Sequence, residues 1–291
     1  MADTSKYDLK NIDIAWCPGC GNFQILSTIK KVLAEMDIDP SEAAWSTGIG
    51  QAAKIPQYFK TNYFNGLHGR SLPVATAIKA ANPNLEVFAE SGDGCTYGEG
   101  GNHFIHTIRR NPDITNLVHD NRIYGLTKGQ ASPTTDKGMI TTMQFNGVSF
   151  EPFNPIGIGV ASNASFVARA YSADQKETKE IIKAGIEHDG YALIDLLHPC
   201  VSFNKKNTYK WYKEHTYYLD EEYDPYDQEA AFQKSQEREQ ISLGIIFKND
   251  DKAPFEDTLS AHNKGEKYTP LYERDQKFDV VKDIIEQKRV K

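Results

Sequence analysis

The feature that most constrains the fold is a glycine-rich turn, Gly92-Asp93-Gly94, between an apolar segment and a helical one. Residues 85–90 have the composition of a β-strand. Residues 100–110 carry apolar side chains at helical spacing, and residues 114–119 predict a second strand. Strand, glycine turn, helix and strand in this order form a βαβ unit, in which the two strands lie parallel. We therefore predict an α/β fold with a parallel sheet flanked by helices.

The first 200 residues continue this alternation of helices and strands. Apolar periodicity predicts further helices over residues 21–36, 73–81 and 178–188, and strands over residues 43–50 and 191–197. Beyond residue 200 the sequence is polar and rich in Lys and Tyr. Helices are predicted there over 227–240 and 276–287, and residues 248–274 show no clear period. We expect residues 1–200 to form one α/β domain, and residues 201–291 an extension that packs on this core or on a partner subunit.

Composition excludes several classes of protein. The chain is 39% hydrophobic and 25% charged, as is usual for a globular protein. A net charge of -7, spread along the chain, argues against a nucleic-acid partner. No apolar run reaches the roughly 18 residues of a membrane helix. The first residues lack the apolar stretch of a signal peptide, so we expect a cytoplasmic protein without a membrane partner.

The four cysteines suggest a metal or redox site. In a reducing compartment disulfides are disfavoured, so the Cys17-Pro18-Gly19-Cys20 spacing favours a metal site, a cluster or a redox pair. The alternative is that Cys17 and Cys20 are two unrelated small core residues.

The aspartate in the glycine turn predicts a bound cation. Glycines between a strand and a helix allow backbone N–H groups to approach a phosphate. A dinucleotide fingerprint fits poorly, because Gly98 comes one residue late for it. A carboxylate at Asp93 would repel a phosphate unless a cation such as Mg²⁺ lay between them. Asn121, which follows the next strand after 26 intervening residues from Gly94, is the expected second oxygen ligand.

Seven motifs in order resemble the β subunit of 2-oxoacid:ferredoxin oxidoreductases, from about residue 12 to residue 260. They are CPGCG at 17–21, GIG at 48–50, LHGRSLP at 67–73, GDG at 92–94, GNHF at 101–104, DNRIYGLTKGQASPT at 120–134 and PCVSFN at 199–204. The resemblance implies a thiamine-diphosphate-binding fold of the diphosphate type, with residues 1–200 as the cofactor-binding domain.

The resemblance also implies a reaction and a set of partners. The expected reaction is oxidative decarboxylation of a 2-oxoacid, 2-oxoglutarate or pyruvate, with coenzyme A to acyl-CoA and CO₂. The implied cofactors are thiamine diphosphate, Mg²⁺ and a [4Fe–4S] cluster that passes electrons to ferredoxin. The implied partner is an α subunit, or α plus γ, which supplies the pyrimidine-binding half of the site.

Site roles follow from the resemblance position by position. Asp93, Asn121 and the carbonyl of Ile123 are the expected Mg²⁺ ligands. The positions expected to contact the cofactor are Ile49, Gly50, Gln51, Ala52, His68, Gly92, Gly94, Gly125 and Leu126. His68 and Lys128 are the candidate catalytic residues, and Lys128 could pair with a carboxylate of a dicarboxylic substrate. Their alternatives are a structural loop histidine and a solvated loop lysine.

The match breaks at one cluster ligand. Cys17, Cys20 and Cys200 stand at ligand positions, whereas Gln51 stands where the family has its fourth cysteine. We interpret Cys95 as a small apolar side chain of the glycine loop and not as a substitute ligand. Three outcomes are therefore open: a cluster with an unusual fourth ligand, a labile or three-iron cluster, or no cluster, with the electrons taking another route. Without a cluster, the alternatives are a non-oxidative thiamine-dependent 2-oxoacid decarboxylase subunit or a non-catalytic metal- or nucleotide-binding subunit.

Overall fold

A computed structural model describes residues 3–262, 269–274 and 277–289. Within these residues eight strands form one sheet in the order β2-β1-β3-β4-β6-β5-β8-β7. The strands are β1 (Ala43–Thr47), β2 (Asn62–Asn65), β3 (Glu86–Gly92), β4 (Ile114–Asp120), β5 (Phe166–Tyr171), β6 (Tyr191–Leu197), β7 (Thr216–Tyr218) and β8 (Ile241–Lys248). All neighbours are parallel except β5 and β8, which are antiparallel. The predicted α/β class with a parallel sheet flanked by helices is confirmed, and the antiparallel pairing of β5 with β8 is the one departure from it among the described strands.

Helices cover both faces of the sheet. They are α1 (Asn22–Glu35), α2 (Ser71–Ala81), α3 (Gly101–Arg110), α4 (Pro155–Ala161), α5 (Gln175–Ile186), α6 (Tyr209–His215), α7 (Gln228–Ser235), α8 (Phe255–Thr258) and α9 (Phe278–Lys288). The helices predicted in the first 200 residues are confirmed as α1, α2, α3 and α5. Within the described ranges no helix combines the length and the apolar character that crossing a membrane requires.

The core has two layers, one on each side of the sheet. Successive strand residues point to opposite faces, so Phe88 packs beneath α1 and α5, while its neighbours Val87 and Ala89 pack beneath α2, α3 and α4. Because both faces are covered by helices, the central strands are buried along nearly their whole length, and polar residues such as Asn116 and His119 of β4 are buried with the apolar ones. β4 and β6 are buried at every residue.

The predictions for the C-terminal part differ from the structure in two places. The helix predicted over 227–240 ends at Ser235, because the chain must turn before β8 begins at Ile241. The helix predicted over 276–287 is present as α9, although Gln276 itself lies outside the described residues. β7 and β8 extend the sheet beyond β5. The division of the chain at residue 200 stays a prediction.

The parallel strands place the candidate site at one edge of the sheet. The carboxyl ends of β1, β3, β4 and β6 meet there, and each is followed by one of the motifs picked out in the sequence. Ligands of open α/β sheets bind at this edge.

Candidate functional site

A cleft of about 280 Å³ opens at the carboxyl edge of the sheet. The structure brings every predicted site residue to this one cleft. Its lining includes Cys17, Cys20, Ile49, Gly50, Gln51, Ala52, His68, Gly92, Asp93, Gly94, Asn121, Ile123, Gly125, Leu126, Lys128 and Cys200. The roles assigned to them from the sequence stay predictions.

Asp93 lies buried at the floor of the cleft. Its Oδ2 accepts hydrogen bonds from Ser132 Oγ at 2.5 Å and from Thr134 Oγ1 at 2.6 Å. Thr134 Oγ1 also lies 2.8 Å from Asp120 Oδ1, so one hydroxyl proton faces two carboxylates. Burial, followed by the charge of Asp120, raises the pKa of Asp93 well above its ordinary value. A cation bound here would relieve this unfavourable concentration of negative charge, so the site fits Mg²⁺.

The turn after β4 presents amide and carbonyl oxygens, which could bind a cation together with the Asp93 carboxylate. Asn121 Oδ1 accepts the backbone N–H of Ile123 at 3.0 Å, and Arg122 between them has a φ of 58°. Asn204 Nδ2 donates to the Asn121 carbonyl at 3.0 Å and ties this turn to the segment after β6. Among the described residues no three His, Cys, Asp or Glu side chains form a metal-binding group. A cation beside Asp93 would therefore need amide and carbonyl oxygens such as those of Asn121 and Ile123.

One glycine at the cleft faces open space, and another allows an aromatic ring to pack against the glycine turn. Gly50 has a φ of 122°, and a Cβ there would meet no atom within 4 Å, so the space before it is open. A Cβ on Gly94 would lie 2.2 Å from the Tyr124 ring, so that ring can pack against the turn only because Gly94 has no side chain.

His68 is paired with a carboxylate that the sequence analysis missed. Its Nδ1 lies 3.1 Å from Glu99 Oε2, and the Tyr124 hydroxyl donates to the same oxygen at 3.1 Å. The side chains of His68 and Glu99 are both partly exposed. Glu99 belongs to the glycine loop and Tyr124 to the motif after β4, but only the fold reveals that they meet at His68.

Lys128 sits in a strained turn at the cleft. Its φ is 82°, which a non-glycine residue rarely adopts, and Gly129 follows with a φ of 102°. The Thr142 hydroxyl donates to the Gly129 carbonyl at 2.9 Å and to the Lys128 carbonyl at 3.3 Å. These contacts hold the strained backbone, and strain of this kind concentrates at functional sites.

The three predicted cluster cysteines face the same cleft. Cys17 is exposed, whereas Cys20 and Cys200 are partly buried. Ser202 Oγ donates to Cys17 Sγ at 3.1 Å, and Cys20 accepts a hydrogen bond from the backbone N–H of Asn22. Burial raises the pKa of the Cys20 thiol to about 11, with smaller contributions from Cys200 and Cys17. A soft metal or cluster would hold such thiols deprotonated.

Gln51 presents an unpaired oxygen at the position of the missing cysteine. The Gln51 carbonyl accepts a hydrogen bond from Trp16 Nε1 at 2.9 Å, which places this residue beside the Cys17 turn. Its side-chain Oε1 is buried and has no hydrogen-bond partner among the described residues. Three thiols and an unpaired oxygen are the donor types that a cluster with one non-thiolate corner would need, although the described side chains are not arranged as a closed metal-binding group.

Cys95 joins two of the loops around the cleft. Its buried Sγ accepts the backbone N–H groups of Gly69 at 3.2 Å and Ile49 at 3.4 Å. A Cβ on Gly48 would lie 2.4 Å from this sulfur, so the loop after β1 is fitted around it.

A network of buried polar side chains beneath the cleft was also not predicted from the sequence. His119 Nε2 lies 2.7 Å from Glu90 Oε1, and His119 Nδ1 lies 2.9 Å from Asn22 Oδ1. Trp45 Nε1 donates to Glu90 Oε2 at 2.6 Å. Glu90 and His119 look like ordinary strand residues in the sequence, and nothing in its pattern signals their pairing.

Comparison with protein families identifies two regions of the chain. The model described as "Thiamine pyrophosphate enzyme, C-terminal TPP binding domain" matches residues 43–196. A second model, for the C-terminal part of the pyruvate ferredoxin oxidoreductase β chain, matches residues 200–264. The cleft is built mainly by the first region.

Individual relatives cover almost the whole chain. The β subunit of 2-oxoacid:ferredoxin oxidoreductase 2 from Aeropyrum pernix is 41% identical over 84% of this chain and 84% of its own length. The β subunit from Saccharolobus solfataricus is 38% identical over 94% of this chain and 96% of its own. Among solved structures, the 2-oxoglutarate:ferredoxin oxidoreductase from Magnetococcus marinus superposes with a TM-score of 0.89 at 30% identity, covering 99% of this chain and 96% of that one.

Proposed function

Because this chain belongs to the family of 2-oxoacid:ferredoxin oxidoreductase β subunits, we propose that its cleft binds thiamine diphosphate through Mg²⁺ for oxidative decarboxylation of a 2-oxoacid. The observation that carries the proposal is the meeting of Asp93, Asn121 and the three cysteines on one cleft. The balanced reaction converts a 2-oxoacid, coenzyme A and two oxidised ferredoxins to acyl-CoA, CO₂, two reduced ferredoxins and one proton.

The protein's part is to hold and orient the cofactor, which supplies the carbanion chemistry. Asp93 Oδ1 or Oδ2, Asn121 Oδ1 and the Ile123 carbonyl would hold the cation, with Ser132 and Thr134 fixing the carboxylate. The remaining contacts would come from Ile49, Gly50, Gln51, Ala52, His68, Gly92, Gly94, Gly125 and Leu126. The backbone at Gly92 and Gly94 would face the diphosphate.

The proposal assigns the action on the substrate to His68 and Lys128, which both line the cleft. With its Nδ1 facing Glu99, His68 keeps Nε2 to donate or accept a proton in the cleft. The Lys128 ammonium would bind a carboxylate of the substrate. Its long side chain on a fixed turn suits a dicarboxylic 2-oxoacid such as 2-oxoglutarate better than pyruvate.

Cys17, Cys20 and Cys200 would hold an iron–sulfur cluster, with Gln51 at the corner that lacks a thiolate. In a reducing cytoplasm these thiols stay available for iron. The cluster would carry electrons one at a time from the cofactor to ferredoxin. An α subunit, or α plus γ, would supply the pyrimidine-binding half of the site.

Gln51 also supports a second candidate, a non-oxidative 2-oxoacid decarboxylase subunit. If the cluster never assembles, the electrons have no exit, and the 2-oxoacid would lose CO₂, take up one proton and be released as the aldehyde. The presence of iron and sulfide, together with reduction of an electron acceptor, distinguishes the two candidates.

The deciding experiment is anaerobic purification of this chain with its partner subunit. We expect about four iron and four sulfide per β chain, broad visible charge-transfer absorption, and coenzyme A-dependent ferredoxin reduction with 2-oxoglutarate or pyruvate. CO₂ release without iron and without reduction of an acceptor would establish the non-oxidative candidate. Absence of any turnover with 2-oxoacids in the assembled complex would overturn the proposed function itself.

A further inference from the structure

A basic surface follows directly after Cys200 in a chain whose net charge is -7. Lys205, Lys206, Lys210 and Lys213 are all exposed. Between residues 201 and 215 the sequence contains one acidic residue, Glu214. The segment therefore has the opposite sign to the chain as a whole.

This surface is attached to the side of the cleft that carries the cysteines. Lys205 Nζ donates to the Val201 carbonyl at 2.5 Å, next to Cys200. The Tyr209 hydroxyl donates at 3.0 Å to the carbonyl of Gly19, which lies between the two cysteines of the CPGC turn. The basic segment is thus attached to both cysteine-bearing turns, through Val201 next to Cys200 and through Gly19 next to the exposed Cys17.

The helix α6, which carries Lys210 and Lys213, is fixed in place by packing and by a capped N-terminus. Tyr212 on α6 is fully buried, and the Thr208 side chain caps the helix by accepting the N–H of Trp211. The Trp211 ring packs at 5.2 Å from the Arg122 guanidinium. Lysines on a fixed helix present a defined charge pattern to a partner.

Part of this charge is not neutralised within the chain. Lys206 pairs with Asp136 at 2.9 Å, and Lys210 approaches Glu214 at 3.7 Å. Neither Lys205 nor Lys213 forms an ion pair with any residue that the structure describes. An acidic partner would find unsatisfied positive charge there.

We propose that Lys205, Lys210 and Lys213 form the docking surface for an acidic one-electron carrier protein of the ferredoxin type. The inference rests on the proposed function, since it places the exit of the electrons at the exposed Cys17. Each docked carrier would accept one electron from the cluster that Cys17, Cys20 and Cys200 would hold, and no bond or proton would be exchanged. Complementary charge around the exit raises the rate of productive encounter and orients the carrier.

The test uses the assembled complex of this chain with its partner subunit, prepared anaerobically. The triple variant Lys205→Glu, Lys210→Glu, Lys213→Glu is compared with wild type for 2-oxoacid-dependent reduction of a purified acidic [4Fe–4S] ferredoxin and of methyl viologen. We expect kcat/KM for ferredoxin to fall about tenfold or more at low salt, the range of electrostatic steering. Methyl viologen reduction, which needs no protein docking, should stay at the wild-type rate.

Two further variants make the result specific. Lys60→Glu changes an exposed lysine before β2, at the amino-terminal edge of the sheet opposite the cleft, and should leave ferredoxin reduction unchanged. The triple change to Gln removes charge without reversing it and should give a smaller loss. Raising the salt concentration should slow wild type towards the triple variant, because screening weakens exposed charges.

Equal kcat/KM for ferredoxin in wild type and triple variant would overturn the docking surface. The docking surface would also be overturned if the triple Glu and the triple Gln variants both lost methyl viologen reduction or subunit assembly. The three lysines would then serve folding or the subunit interface. A wild-type complex that reduces neither acceptor with any 2-oxoacid contradicts the proposed function instead, whatever the lysines do.

Discussion

Asp93 is a buried carboxylate that faces a second one, Asp120, and this sets the expected effect of removing it. Asp93→Ala should lower thiamine-diphosphate affinity in the presence of Mg²⁺ by about a hundredfold or more, since even residues behind a metal ligand change metal affinity roughly 10–100-fold. The fold should not lose stability, because the substitution removes a carboxylate whose ionisation is opposed first by its burial and then by repulsion from Asp120. Calorimetric titration and a thermal melt measure the two effects.

A matched control for this prediction is Asp189→Ala. Asp189 is exposed and precedes β6, at the edge of the sheet away from the cleft. It should bind the cofactor as wild type does. Wild-type affinity in the Asp93 variant would show that no cation is held there.

Gln51 marks the corner of the cluster that we expect to be weak. Sulfide clusters prefer soft thiolate ligands, and an amide oxygen is a hard ligand. Gln51→Cys should therefore slow the loss of visible charge-transfer absorption in air several-fold compared with wild type. The buried and unpaired Gln51 Oε1 shows that the replaced atom forms no hydrogen bond within the described chain.

The comparison needs wild type and variant reconstituted side by side under anaerobic conditions. A wild-type cluster that decays no faster than the variant's would remove Gln51 as the weak corner. If neither protein retains iron, the cluster itself is absent and the non-oxidative candidate takes its place.

For single residues, the sequence could predict the candidate ligands and catalytic side chains. It could not predict the polar residues that form hydrogen bonds or ion pairs with these side chains. Asp93, Asn121 and the cysteines stand out because their types and spacing are unusual. Ser132, Thr134 and Glu99 are common polar residues, and their roles come only from hydrogen bonds across the fold. Such partners carry no local pattern that a single sequence could reveal.

An ion-pair cluster joins α1 to α5 and predicts a pH-dependent contribution to stability. Glu35 accepts hydrogen bonds from Lys183 and from Lys179 Nζ, the latter at 2.9 Å. These contacts lower the pKa of Glu35 from 4.5 to about 2. A carboxylate whose pKa is lower in the folded state stabilises the protein above its unfolded pKa, and this contribution disappears as the pH falls towards the folded value.

Glu35→Gln should therefore lower the urea midpoint at pH 7, and the difference from wild type should narrow as the pH falls below 4.5. High salt should reduce the difference as well, because the pair is at the surface. Glu229→Gln, a change on α7 at a position outside this cluster, is the control. A gap between the Glu35 variant and wild type that is constant with pH would mean that the pairs with Lys179 and Lys183 contribute nothing through charge.

The sequence predicted well those helices and strands whose own residues show a clear apolar pattern. The βαβ unit of β3, α3 and β4 is one such case, since its helix period and its buried strands differ clearly. β5 and β8 were not predicted. They pair with each other across more than 70 residues of sequence, and β5 includes Arg169, which lies at 3.3 Å from Asp195 inside the fold. Tertiary pairing, which no local period records, decides such strands.

The whole molecule has a cofactor cleft that lacks one group required for thiamine chemistry. Thiamine enzymes activate the cofactor with a glutamate on its aminopyrimidine. Among the described residues that line the cleft, Asp93 alone has a carboxylate, and the proposed cation occupies it. The activating glutamate would therefore come from another chain, with the cofactor at the interface between the two.

We accordingly expect the isolated chain to be inactive and to bind thiamine diphosphate weakly. Co-expression with the α subunit should restore turnover and tighten cofactor binding, because each chain contributes half of the site. Release of CO₂ from a labelled 2-oxoacid by the isolated polypeptide, with the same preparation carrying Asp93→Ala as the blank, measures this directly. If wild type alone released CO₂ above that blank, the chain would hold a complete site, and the activating carboxylate would have to be sought within it, with Glu99 beside His68 as the first residue to test.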